Sequence, residues 1–145
     1  MRILLGAFVV GSLDAIYALA FWLPRGAKAG RIFQSIAAGL LGPDSFQGGA
    51  RTVVLGVALH YFIALAIVTI YWLAARRIPL LTQHPIVCGA IYGIGVYVVM
   101  NYVVIPLSAA AKPSRFLLSW VLCSIIVHAF LIGVPAALFA RRASS

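Results

Sequence analysis

Four long apolar runs, over residues 3–23, 53–73, 86–105 and 116–140, constrain this chain more than any other feature. A hydrocarbon core about 30 Å thick takes about 20 apolar residues to cross as a helix. Each run has that length. Lipid offers no hydrogen bonds to open backbone groups, so the runs are expected as helices and not as strands. Each run also has a stop: Pro24 and Arg25, Arg76 and Arg77, Pro106, and Arg141 and Arg142. The expected fold is all-α, an integral membrane four-helix bundle of up-down-up-down topology. It forms one transmembrane domain over residues 1–145. An even number of spans places both termini on one side.

Composition supports this class. Hydrophobic residues make up 64% of the 145 residues and charged residues 9%. Soluble domains run nearer ~45–50% apolar and ~25% charged. The difference excludes a disordered chain, a coiled coil and a typical soluble enzyme. Eleven Lys and Arg against two acidic residues give a net charge of +9. Such an excess can mark nucleic-acid binding. In so apolar a chain it points instead to basic ends that meet anionic headgroups. The lipid bilayer is therefore an expected partner, and nucleic acid is not. The first run has some features of a signal peptide, with Arg2 before it and Ala18-Leu19-Ala20 near its end. Its long apolar core and the Asp14 within it favour a retained helix. Cys88 and Cys123 lie in apolar stretches and fit small buried hydrophobes.

Orientation follows from Lys and Arg placement. One side holds Arg2, Arg76, Arg77, Arg141 and Arg142, and the other holds Arg25, Lys28, Arg31, Arg51, Lys112 and Arg115. The first set is denser in its short loops, and its Arg pairs sit directly at span ends. Both termini are therefore expected in the cytoplasm, with the chain in a bacterial inner (plasma) membrane. The loop over residues 24–52 is the long one. Within it, residues 30–41 fit an amphipathic interfacial helix. Ile32, Phe33, Ile36 and Leu40 fall on one side, and Arg31, Gln34 and Ser35 on another. It is either a simple connector in the headgroup plane or a lid over the outer end of the bundle. Gly42-Pro43-Asp44-Ser45 then supplies a turn.

Each span carries one strong polar side chain: Asp14, His60, Asn101 and His128. Counted from one end of each span, all four fall within about 6 Å in depth at ~1.5 Å per residue. Ionisable residues inside a span usually face the bundle interior. Residues three or four apart share a face. Asp14 shares its face with Ala7, Gly11 and Ala18, and His60 lies between Gly56 and Ala64. Asn101 continues the row Gly89, Gly93, Tyr97, while His128 follows Ser124 by four. Small residues in such rows let backbones approach closely. A central polar cluster of Asp14, His60, Asn101 and His128 is expected, with Tyr97 and Ser124 around it. Pro135 is expected to kink the fourth helix. Aligning His60 with His128 also overlays Gly56 on Ser124 and Phe62 on Phe130, a faint hint of duplication.

Three roles suit such a cluster. In the first it holds the helices in register by interhelical hydrogen bonds. The protein is then a non-enzymatic accessory, scaffold or assembly subunit with no cofactor and no metal, in a homo-oligomer or a larger membrane complex. In the second, His60 and His128 are the axial ligands of a b-type haem, with Arg51 near a propionate. In the third, protons or small solutes pass through the cluster. No paired carboxylates, GxSxG or phosphate loop speak for an enzyme. His84, beside Pro85 in a short loop, is expected in solvent.

The stretches Gly11-Ser12-Leu13-Asp14, residues 35–42, Leu55-Gly56 with His60, Met100-Asn101-Tyr102 with Pro106-Leu107-Ser108, and His128 with Gly133 and Pro135 carry a resemblance. Together they resemble small, uncharacterised bacterial four-span inner-membrane proteins, loosely of the YagU type, which also have mid-membrane histidines. The resemblance implies a bacterial four-span protein and implies no particular reaction.

Overall fold

A computed structural model describes residues 1–110 and 117–144 of the chain. Four helices in it are long and apolar enough to cross a membrane. The first, α1, is Arg2–Trp22. A short helix, α2, is Ala29–Leu41. The second long helix, α3, is Gly49–Ala75. After the single turn α4, Leu80–Gln83, comes α5, Pro85–Leu107. The last, α6, runs over residues 118–144. The protein is an all-α, four-helix, multi-pass membrane protein. Phe116, the expected start of the fourth span, and Lys112 and Arg115 in the loop before it, lie outside the described residues.

Pairwise packing establishes the up-down order. Gly6 of α1 faces Val68 of α3 and Phe139 of α6, while Gly11 faces Tyr61 and Ala64. Both neighbours of α1 therefore run antiparallel to it. Gly89 and Gly93 of α5 meet Gly133 and His128 of α6 in the same antiparallel sense. The core is a layer of Val10, Ala64, Val68, Ile132 and Ala136, continued towards the termini by Tyr71, Ala75, Ala137 and Ala140. Outward-facing Phe8, Ile16, Phe62, Ile70, Ile91 and Ile126 stay exposed, on the faces that a bilayer would cover. Lipid is as apolar as these side chains, so their exposure carries no penalty, and close backbone packing drives association instead. Cys88 is only partly buried and Cys123 is exposed. The expectation of two buried thiols is corrected accordingly: Cys123 faces outward, among the side chains that meet lipid.

Two stretches depart from α geometry. Met100–Val104 in α5 and His128–Gly133 in α6 are π-helical. In each case a proline follows two residues after the stretch ends, Pro106 and Pro135. A proline inside an α-helix lacks a donor and clashes with the carbonyl four residues back. One extra residue per turn widens the ladder ahead of the ring and absorbs both problems. This corrects the expectation that Pro106 ends the third span: the helix passes through it to Leu107. At Pro135 the expected disturbance takes the form of a widened turn.

The loop helix α2 also departs from expectation. Its buried residues are Gln34, Ala37 and Ala38, while Leu40 and Leu41 are exposed. Gln34, expected on the outward polar side, is the anchor. Its Nε2 donates to the Gly49 carbonyl and to Thr52 Oγ1, each at 3.2 Å. Ser45 Oγ then donates to the Gln34 carbonyl at 3.0 Å. Gly56 lets the α2 backbone press against α3, because a Cβ there would fall on the Phe33 carbonyl. At its far end, the Ala109 N–H donates to the Gly39 carbonyl at 2.9 Å. The helix thus bridges α3 and the segment just after α5. Gln34→Ala is expected to destabilise the protein by about 1–2 kcal/mol through two lost bonds. Hydrogen exchange should then accelerate over residues 30–41 and stay slow in α3.

Candidate functional site: a mid-membrane polar cluster

The site begins with one unbroken row on α3. Thr52, Gly56, His60, Ala64, Val68, Tyr71 and Ala75 are all buried, at the three- and four-residue spacing of one helical face. His60 is the large polar member of that row at mid-depth. Its Nε2 donates to the Gly11 carbonyl of α1 at 2.7 Å. A carbonyl has two lone pairs, so Gly11 accepts this bond beside its own helical one. Since a carbonyl only accepts, Nε2 carries a hydrogen. That leaves Nδ1 facing Asp14 Oδ2 at 4.0 Å.

The Asp14 side chain keeps 30% of its surface open. Val10, Gly11, Asp14, His60, Ile63, Ala64, Ile67 and Ile132 enclose a cavity of about 30 Å³ beside the pair. That volume suits a single water. At 4.0 Å, Asp14 and His60 are paired without a direct hydrogen bond. The imidazole hydrogen goes to the α1 backbone instead. Burial without partners would be costly for either group. Here each lies against the other and against a backbone acceptor or a water-sized space.

Around this pair, aromatic hydroxyls tie helices together. Ser12 Oγ and Tyr61 Oη are 3.1 Å apart, joining α1 to α3. Tyr17 Oη and Ser124 Oγ are 2.9 Å apart, joining α1 to α6. Tyr92 Oη donates to the Ile67 carbonyl at 2.8 Å, joining α5 to α3. The Phe33 ring of α2 stands edge-on to the His60 ring at 6.4 Å between centroids.

The other two expected members behave differently. His128 Nδ1 donates to the Ser124 carbonyl of its own helix at 2.8 Å, and its ring stands edge-on to Tyr97 at 5.4 Å. Asn101 Nδ2 donates to the Tyr97 carbonyl, also of its own helix, at 2.9 Å. Both bonds reach four residues back, where the α ladder gives way to the π stretch. Each polar side chain therefore serves a carbonyl at a junction where the regular pattern changes. The contacts form two groups: Asp14 with His60, and Tyr17 with Ser124, whose carbonyl also takes His128, itself edge-on to Tyr97. Asn101 has no hydrogen bond to another helix among the described residues. His84 is exposed, as expected.

Ser12, Tyr17, Tyr61 and Tyr92 are the contributors that motif reading passed over. The signal for them lay in spacing: Tyr61 follows His60 directly, and Tyr17 is three residues from Asp14 on the same face. Among the described residues, no three His, Cys, Asp or Glu side chains converge as a metal site needs. A bis-histidine haem does not fit this arrangement. His60 Nε2 is engaged by the Gly11 carbonyl, and the cavity at the pair takes a water and not a macrocycle.

No family model, curated protein or solved structure matches the chain.

Proposed function

We propose that the protein is a small, non-enzymatic subunit of the bacterial inner membrane, an accessory, scaffold or assembly component with both termini in the cytoplasm. The observation that carries this reading is how the mid-span polar groups are used. His60 is engaged by the α1 backbone, Tyr17 by Ser124, Tyr92 by the α3 backbone, and Asn101 and His128 by their own helices. The three that cross between helices, from His60, Tyr17 and Tyr92, are of a kind that averages only ~0.6 kcal/mol each. Their value lies in specifying one register. The exposed apolar faces of α1, α3, α5 and α6 then remain for lipid or for helices of a partner. Orientation rests on the basic end: Arg2 donates to the Arg142 carbonyl, and Arg76 and Arg77 close α3 on that same side. The bacterial setting rests on the family resemblance. Affinity capture from native membranes tests the role. Recovery in a defined stoichiometric complex is expected, and a lone, stable monomer contradicts it.

A second reading, proton passage, draws on the cavity of about 30 Å³ flanked by Asp14 and His60. Its remaining walls are Val10, Gly11, Ile63, Ala64, Ile67 and Ile132, so a water there meets few further polar partners. Proton flux in liposomes that disappears in His60→Ala would favour this reading over the first.

A further inference from the structure

At the terminal end of the bundle, α3, α4 and α6 enclose an open pocket of about 590 Å³. Trp72, Ala75, Arg76, Pro79, Thr82 and Ala143 line it. Neither the polar cluster nor the proposed subunit role uses this pocket. Its volume falls in the range of small-molecule sites. The Arg76 guanidinium sits 5.2 Å from the centre of the Trp72 ring. Stacking on an aromatic face holds the planar fork of an arginine while leaving its donors open. The indole Nε1–H of Trp72 is buried with no acceptor among the described residues. The chain has two acidic side chains, Asp14 at mid-depth and Asp44 in the loop after α1. No side-chain carboxylate therefore stands at this end to neutralise Arg76 and Arg77.

We infer that this pocket binds the phosphate of an anionic phospholipid headgroup. An oriented guanidinium is suited to bidentate contact with phosphate oxygens. A tryptophan at this depth suits the interface between apolar core and headgroups. The surroundings select a lipid over a free phosphate. Ile78 and Leu80, which flank Pro79 of the pocket wall in sequence, are both exposed. They offer the apolar surface along which acyl chains of a bound lipid lie.

The test is native mass spectrometry of the full chain from mixed vesicles of equal phosphatidylglycerol and phosphatidylcholine. Wild type is expected to retain phosphatidylglycerol preferentially. Arg76→Gln should reduce that preference about fivefold, the worth of one basic residue at an anionic surface. Arg51→Gln, at the opposite end of α3, should leave it unchanged. Arg76→Lys, which keeps the charge without the fork, should fall between wild type and Arg76→Gln. Excess inorganic phosphate should not displace the lipid. Equal retention by wild type and Arg76→Gln overturns the proposal, as does complete displacement by inorganic phosphate, which would make the site one for a free anion. Because Arg76 is exposed, its replacement should leave thermal unfolding unchanged.

Discussion

Replacing Gly93 by valine is expected to destabilise the bundle by about 3 kcal/mol, near the top of the range for overpacking. The reason is the nature of the obstacle. A Cβ at Gly93 meets the carbonyl and backbone of His128 and the Cα of Ala129, none of which can rotate aside. Relief requires moving α6 as a whole. That helix also packs against α1 and α3, so the shift spreads into the core layer around Val68 and Ile132. The π stretch over His128–Gly133 would have to re-form in a new place. Unfolding in mixed micelles on titration with dodecyl sulfate measures the change. Gly95 provides the control on the same helix. A Cβ there meets nothing within 4 Å. Gly95→Ala should stay within about 0.5 kcal/mol of wild type.

The second large effect is expected at His60. His60→Ala removes the donor to the Gly11 carbonyl and strips Asp14 of the imidazole at 4.0 Å. Replacing a large buried side chain by alanine costs about 2–5 kcal/mol through lost contacts and the cavity left behind. The water-sized cavity already beside His60 lets the site relax in part, which places the expected loss at the low end, about 2–3 kcal/mol. Tyr17→Phe, by contrast, removes one hydroxyl contact and should be worth only ~0.6 kcal/mol. Far-ultraviolet circular dichroism should show little loss of helix in either variant. The helices are long and apolar, and the bilayer maintains them. What changes is their mutual register.

The spans were legible because one physical requirement, crossing a fixed apolar thickness, leaves its mark on every residue of the run. The inward rows on α1 and α3 were legible for a related reason. The row through Gly56, His60 and Ala64 needs only the helical period to be read, and it is buried throughout. The face of α2 was misread because amphipathicity carries a different meaning next to lipid. In water the apolar side of a helix turns inward. In a membrane, Leu40 and Leu41 can meet acyl chains at no cost, and the small Ala37 and Ala38 with the bonding Gln34 make the better contact with α3. The π stretches escaped notice because they result from a proline six or seven residues after they begin, an effect propagated along the helix. Without them, Asn101 and His128 look like two more members of one central cluster. With them, both side chains are spent on carbonyls of their own helices at the α-to-π junctions. Residue type and depth could be read from one dimension. The choice of partner depended on which carbonyls the irregular turns left within reach.

The central claim is that Asp14 and His60 act as one unit that fixes α1 against α3. A double-mutant cycle with Asp14→Asn, His60→Ala and the pair of substitutions, read as unfolding free energy in mixed micelles, tests it directly. The account predicts a coupling of at least about 1 kcal/mol, as expected for groups in direct interaction. In that case Asp14→Asn costs clearly less in the His60→Ala background than in wild type. Strictly additive losses would contradict the claim and leave the two residues as independent neighbours at the same depth.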